Sequence, residues 1–304
     1  MTRKSPHPLR AAALVVVAMA AVALAPGRAT AAYGWPVKPF HRQHPVRAYF
    51  GDPRGFRVDA PHALHFGIDV SAPNGTTVYA VASGVISRHP NHPEAILLTS
   101  GNVVFEYWHL VPSRTSGYAT AYRTVLGTIE SPWAHVHLAE RTGPTFVNPL
   151  RAGALVPYRD PTRPTIRGVG VDSGRVVVDA FDTTPLLVAP PWSRKPVSPA
   201  LVEWRVGPGP WHVAADFRGA LPSSYEAVYG RSTRPNLASV TGRYRFLLGP
   251  VSTFGSVRVL QVRVEDTRGN AAVASFSRSS GPASVSRPGN SSRPNVWKRL
   301  GVEA

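Results

Sequence analysis

His65-Phe66-Gly67-Ile68-Asp69-Val70-Ser71-Ala72-Pro73-Asn74-Gly75-Thr76-Thr77-Val78-Tyr79-Ala80-Val81-Ala82-Ser83-Gly84-Val85-Ile86 is the stretch whose reading decides the fold. Short β-rich runs at 67–70, 76–81 and 85–86 are separated by Ala72-Pro73-Asn74-Gly75 and Ser83-Gly84. Turn signals this close together leave no room for a helix of ordinary length and read as strand, turn, strand. The same run carries H-x-x-x-D at His65 and Asp69, and Ala134-His135-Val136-His137-Leu138 carries H-x-H. Each fragment alone is a weak signal. Together they offer three imidazoles and one carboxylate, the donors that suit zinc at an open catalytic site.

Working outward, 46–50 and 95–98 read as further strands, and 103–110 alternates and ends in His109 and Leu110. Period two places Val103, Phe105, Tyr107 and His109 on one face, with Val104, Glu106 and Trp108 on the other. A strand at 125–129 leads to the H-x-H segment. If that segment is extended, His135 and His137 share a face with Cα atoms roughly 6.5–7 Å apart. At that spacing one imidazole can hold a metal while its neighbour handles a proton of water beside it. His41, His44 and His62 read as surface histidines near the site. The tract His89-Pro90-Asn91-His92-Pro93 reads as a solvated hairpin loop, because its prolines fix turns rather than ligands.

Pro157-Tyr158-Arg159-Asp160-Pro161-Thr162-Arg163-Pro164 marks a boundary between a first domain at 33–157 and a second at 165–276. In the second, strand-like runs at 165–169, 175–181, 201–206, 244–248, 257–265 and 271–276 alternate with turn signals, the pattern of a β-sandwich. Residues 277–304 are rich in Ser, Arg, Pro and Gly and are expected to be a disordered tail. At the other end, Arg3, Lys4 and Arg10 precede an uncharged apolar run at 11–25, and Ala29-Thr30-Ala31 supplies a small-x-small cleavage pattern. Residues 1–31 are therefore expected to be a secretory signal, the apolar run being too short to span a bilayer. The mature protein would then be secreted.

The chain has 304 residues, 34 Lys and Arg against 17 Asp and Glu, and no cysteine. Thiolate ligands, redox motifs and cysteine nucleophiles are excluded. The formal charge of +17 becomes +13 without residues 1–31, which favours an anionic neighbourhood such as a cell wall. The basic residues are scattered and no nucleic-acid motif is present, so nucleic acid is not an expected partner.

The ordered set of motifs resembles the LytM/lysostaphin-type zinc endopeptidases, peptidase family M23. H-F-G-I-D with the Pro-Asn-Gly turn and valine-rich strand is similar to that family's first signature. Tyr107-Trp108-His109-Leu110 is similar to its Tyr-x-His-Leu, His135-Val136-His137-Leu138 to its H-x-H, and Asn148-Pro149-Leu150 to its domain end. The resemblance covers about residues 46–150. It implies an all-β, barrel-like antiparallel peptidase domain with one Zn2+ held by His65, Asp69 and His137. His109 and His135 would then orient or deprotonate water, and peptidoglycan peptides would be the substrate. Because the proton-handling pair must be neutral, activity is expected to fall below about pH 6. The family's Gly/Ser/Thr-rich loop before H-x-H is replaced here by Thr128-Ile129-Glu130-Ser131-Pro132-Trp133. The competing expectation is a non-catalytic LytM-like module that binds the wall and activates a separate amidase. A third, an exported adhesion protein, leaves the motifs unexplained. Val262-x-Val264-Glu265-Asp266 with Gly269-Asn270 resembles the closing hairpin of bacterial immunoglobulin-like modules.

Overall fold

The computed structural model describes residues 32–55, 63–255, 257, 259–278 and 297–300. Among them there is no α-helix; the one helical element is a 3-10 turn at Val251–Phe254. The fold is all-β, as expected. The first module contains β1 (Val46–Ala48), β2 (Ile68–Ser71), β3 (Thr77–Tyr79), β4 (Gly84–Arg88), β5 (Ile96–Ser100) and β6 (Val103–Trp108). These are followed by β7 (Leu110–Pro112), β8 (Ser116–Ala119), β9 (Val125–Ile129), β10 (His135–Thr142) and β11 (Thr145–Val147). One antiparallel sheet runs β1-β2-β10-β6-β5-β4-β8 with β11 paired to β10, and a smaller sheet runs β3-β9-β7.

Apolar alternation sets which face is which. Ile68 and Val70 of β2 and Val136 and Leu138 of β10 are fully buried in the core of this module. Asp69, His135 and His137, lying between them in sequence, therefore project from the opposite face of the sheet. The expected strand at 103–110 breaks at His109, whose φ of 65° puts it in the left-handed region. The chain leaves the large sheet after β6 and enters the small sheet as β7, so His109 is the residue at which it changes sheets.

The second module contains β12 (Thr165–Asp172), β13 (Arg175–Phe181), β14 (Leu201–Val206), β15 (His212–Asp216), β16 (Arg245–Pro250), β17 (Val259–Glu265), β18 (Ala271–Arg278) and β19 (Trp297–Arg299). A sheet in the order β12-β13-β16 faces one in the order β15-β14-β17-β18-β19 across a shared core that includes Val178, Phe246, Val202, Val262 and Phe276. This is a two-sheet sandwich. β15 has no counterpart in the sequence reading, because Val213-Ala214-Ala215 is short, alanine-rich and partly exposed. The expected tail needs correction at both ends: Ser277 and Arg278 complete β18, and Trp297–Arg299 returns to pair with it. Trp297 is buried near Phe254, which supplies the apolar contact that holds the strand. Residues 279–296 and the expected secretory signal at 1–31 lie outside the described residues. No helix among the described residues is long and apolar enough to cross a membrane.

The modules interlock. Phe50 and Leu64 pack into the sandwich core, while Val197 of the second module packs into the first. Ser198 N donates to Asp52 Oδ1 at 2.6 Å, and Tyr229 Oη donates to Gly51 O at 2.9 Å. Gly51 adopts φ +88°, and a Cβ there would lie 2.5 Å from the Phe217 ring, so close packing and backbone both demand glycine. The proline-spaced boundary is likewise packed rather than loose, with Tyr158 and Asp160 buried.

Candidate metal centre and cleft

Antiparallel register sets His137 directly across from Asp69 on β2 and from Trp108 on β6. His65 precedes β2, and Gly67 lets the chain fold back over β10. A Cβ on Gly67 would clash with the Leu138 carbonyl and lie 2.8 Å from His137 Nε2. The result is a triangle of donor atoms. His65 Nε2 lies 3.0 Å from Asp69 Oδ1 and 2.8 Å from His137 Nδ1, which is 3.1 Å from Asp69 Oδ1. His65, Asp69 and His137 are all buried.

Their hydrogen bonding tests whether a cation belongs there. His65 Nδ1 lies 2.9 Å from the Tyr49 carbonyl, which can only accept, so Nδ1 carries the proton and Nε2 presents a lone pair. That lone pair faces an oxygen of Asp69, which also only accepts when ionised. A single proton on His137 Nδ1 can serve His65 Nε2 or Asp69 Oδ1 but not both. Two nitrogens and one oxygen converging with unshared lone pairs suit a zinc ion, and an orienting carbonyl on the far nitrogen is what zinc-ligating histidines typically have.

The two further histidines stand beside the triangle. His135 Nδ1 lies 2.8 Å from the Trp133 carbonyl, fixing the tautomer that leaves Nε2 unprotonated, 3.4 Å from Asp69 Oδ1. His109 sits 4.6 Å from the His135 ring, centroid to centroid, and stacks at 4.1 Å on Trp133. The sequence reading placed His109 on the face of Phe105 and Tyr107, which are core residues. The positive φ reverses this, and His109 lines the cleft together with Trp108.

Charge completes the surroundings. Arg47 Nε and Arg54 Nη2 approach Asp69 Oδ2 at 3.7 and 3.4 Å. Arg47 also donates to the Trp133 carbonyl, contacts His135 Nε2 at 3.4 Å and lies over the Trp192 ring at 4.5 Å. Burial, reinforced by Arg54 for His65, pushes His65 and His137 down to about 4. Burial, then His135, pushes His109 down to about 3. Burial alone would raise Asp69, but the surrounding His135, His65 and His137 hold it well below the usual carboxylate range. All three histidines are thus neutral in ordinary solution.

These groups floor an open cleft of about 970 Å3. One wall includes His92 and Pro93 of the 89–93 tract, which is the expected hairpin loop between β4 and β5 with Pro90, Asn91 and Pro93 exposed; its His89 and His92 pack on Trp108 at 5.0 and 4.6 Å. Another is Trp133. The third comes from the second module, through Trp192, Pro235 and Leu237. Lys195 pins this wall by donating to the carbonyls of Leu237, Ala238 and Val240. Arg47, Arg54 and Trp192 were not identified from sequence, whereas Trp133 closes the 128–133 segment singled out there. Arg47 had a signal: it is the one charge in the apolar run 46–50. His41 is exposed and His44 packs against Trp35 away from the cleft; His62 lies outside the described residues.

No protein-family model matches the chain, and neither does any curated protein at a significant level. Among solved structures, the chain is similar to a zinc-containing peptidase from Vibrio cholerae, at 19% identity and TM-score 0.33 over 40% of each chain. It is also similar to the catalytic domain of the prophage-encoded M23 protein EnpA from Enterococcus faecalis, at 24% identity and TM-score 0.26, covering 34% of this chain and 85% of that one. Lysostaphin matches at 17% identity and TM-score 0.29, covering 67% of this chain and 87% of its own. M23-type peptidases are thus among the structures this chain resembles. The match spans less than half of the Vibrio cholerae protein. At these scores the likeness does not bear on chemistry, which rests on the side chains of the cleft.

Proposed function

We propose that this chain is an exported zinc endopeptidase that cuts peptide bonds in the stem or cross-link peptides of peptidoglycan. The observation that carries this reading is the triangle of His65 Nε2, Asp69 Oδ1 and His137 Nδ1, 2.8–3.1 Å apart on the floor of an open cleft. Zinc bound there supplies Lewis acidity, acidifying water and polarising a carbonyl. The remaining work falls to the chain. Trp133 O holds the Nδ1 proton of His135, so His135 Nε2 presents the lone pair that can take a proton from attacking water and return it to the leaving amine. His109, uncharged, is placed to hydrogen-bond the substrate oxygen as negative charge develops. Arg47, between His135 and Asp69, orients the first and neutralises the second.

The Thr128–Trp133 segment, which departs from the family pattern, leaves the cleft open. Trp133 backs His109 instead of covering the triangle. Export rests on the features of residues 1–31, and the basic balance suits an anionic wall. The 262–270 hairpin motif supports an immunoglobulin-like kind for the sandwich. Digestion of defined muropeptides, with products weighed by mass spectrometry, tests the proposal. The expected result is products carrying one added water at a single peptide bond, lost in His65→Ala. Intact muropeptides despite bound zinc would overturn it, and wall binding without zinc would favour the amidase-activating alternative.

A further inference from the structure

Away from the cleft, three carboxylates meet at the junction of the modules. Asp160 comes from the linker, Asp182 directly follows β13, and Asp266 directly follows β17. All three are buried, and one oxygen from each lies within 4.8 Å of the others. Among the described residues, no Arg, Lys or His forms an ion pair with any of them. Arg268, close in sequence, donates instead to the carbonyls of Tyr158 and Thr267.

The cluster is held in place by surrounding donors. Thr162 N and Oγ1 and Tyr158 Oη donate to Asp160, while Arg268 N, Asn270 N and Asn270 Nδ2 donate to Asp266. Thr183 N donates to Asp182 Oδ1. Asp182 Oδ2 is different: the residue is 1% exposed and this oxygen has no partner. A buried carboxylate oxygen without a donor is strongly disfavoured unless a cation or a proton meets it. Burial, then the charge of Asp160, pushes the Asp182 carboxyl up to about 8, and burial also raises Asp266.

We propose that Asp160, Asp182 and Asp266 form a binding site for one calcium ion, which fastens the linker to the second module. The donors are all hard oxygens with no nitrogen or sulfur, which disfavours zinc. A buried site offering several carboxylate oxygens suits calcium's six to eight flexible ligands better than magnesium, which keeps most of its water. One residue joins this site to the cleft. Tyr49 Oη lies 2.7 Å from Tyr158 Oη and 3.5 Å from Asp160 Oδ2, while Tyr49 O holds His65 Nδ1. An ion at the junction therefore steadies the turn that orients His65.

Terbium luminescence and thermal unfolding of the full chain, freed of divalent ions, test this site. The expected result is a tyrosine-sensitised terbium signal displaced by calcium but not by equal magnesium. Calcium at a hundredfold excess over Kd should also raise Tm by on the order of 5 °C. Both responses should vanish in Asp182→Asn, an isosteric change that relieves repulsion, and persist in His65→Ala, which alters only the cleft. No calcium response in the native chain up to about 10 mM, above the weakest calcium modules, would overturn the proposal. So would a response that survives in folded Asp182→Asn or disappears in His65→Ala.

Discussion

The Tyr49 carbonyl decides what His65 can do. By holding Nδ1–H it leaves the Nε2 lone pair aimed at Asp69 and His137, so His65→Ala should take zinc from about one per chain to near zero. His135→Ala should keep its zinc and lose about 10²–10⁴ in kcat, since it removes a proton carrier rather than a ligand. Metal analysis paired with rates on one peptide substrate separates the two. The pH dependence has a definite sign. Burial holds His65 and His137 near 4, so protons compete with metal only below that value. Zinc should stay bound through pH 5 and leave below about pH 4; dialysis at stepped pH that strips half the metal at pH 6 would contradict this. With His109 pushed down to about 3, an acid limb of activity near pH 6 is not its doing. The shared face of His135 and His137 was legible because strand period fixes facing, whereas grouping His65 and Asp69 with them rested on the ordered motifs. Arg47 and Arg54 were not: their contacts with Asp69 depend on how the 45–54 segment folds over β2, which no local pattern encodes.

At the scale of elements, the site depends on two departures from regular strand. The left-handed turn at His109 carries the chain from one sheet to the other and turns the imidazole from core to cleft. Alternation in 103–108 was legible, but a non-glycine residue at positive φ leaves no mark in an apolar and aromatic run. The other departure is the absence of a Cβ at Gly67. Gly67→Ala forces that methyl into the Leu138 carbonyl and His137, and should cost about 1–3 kcal/mol together with zinc affinity. Chemical unfolding and zinc titration on one sample would check both; an alanine variant with unchanged metal affinity would show that the approach of 66–67 to β10 is not needed. Trp192, on the loop between β13 and β14, forms cleft wall and covers Arg47. Trp192→Ala should raise KM on the order of fivefold, about 1 kcal/mol of binding, and change kcat less. Steady-state kinetics with an unaltered KM would remove the second module from substrate contact.

As a whole molecule, the chain is two β modules whose cores exchange residues. Phe50 and Leu64 lie in the sandwich core and Val197 in the core of the first module, so opening one module exposes apolar surface of the other. Calorimetry should therefore show one cooperative transition, and two well-separated ones would argue that the modules melt independently. Most strands of both modules were legible in the sequence, because turn chemistry and β-runs are local. That the proline-spaced boundary is packed, that a strand returns at Trp297–Arg299, and that the second module walls the cleft are long-range facts of packing. They leave no period in the chain. The central claim is a zinc ion among three named atoms, and anomalous diffraction at the zinc edge tests it most directly. The expected result is one peak per chain, bonded to His65 Nε2, Asp69 and His137 Nδ1 at about 2.0–2.2 Å. Zinc-supplemented crystals with no peak there, or with zinc held by other side chains, would contradict it.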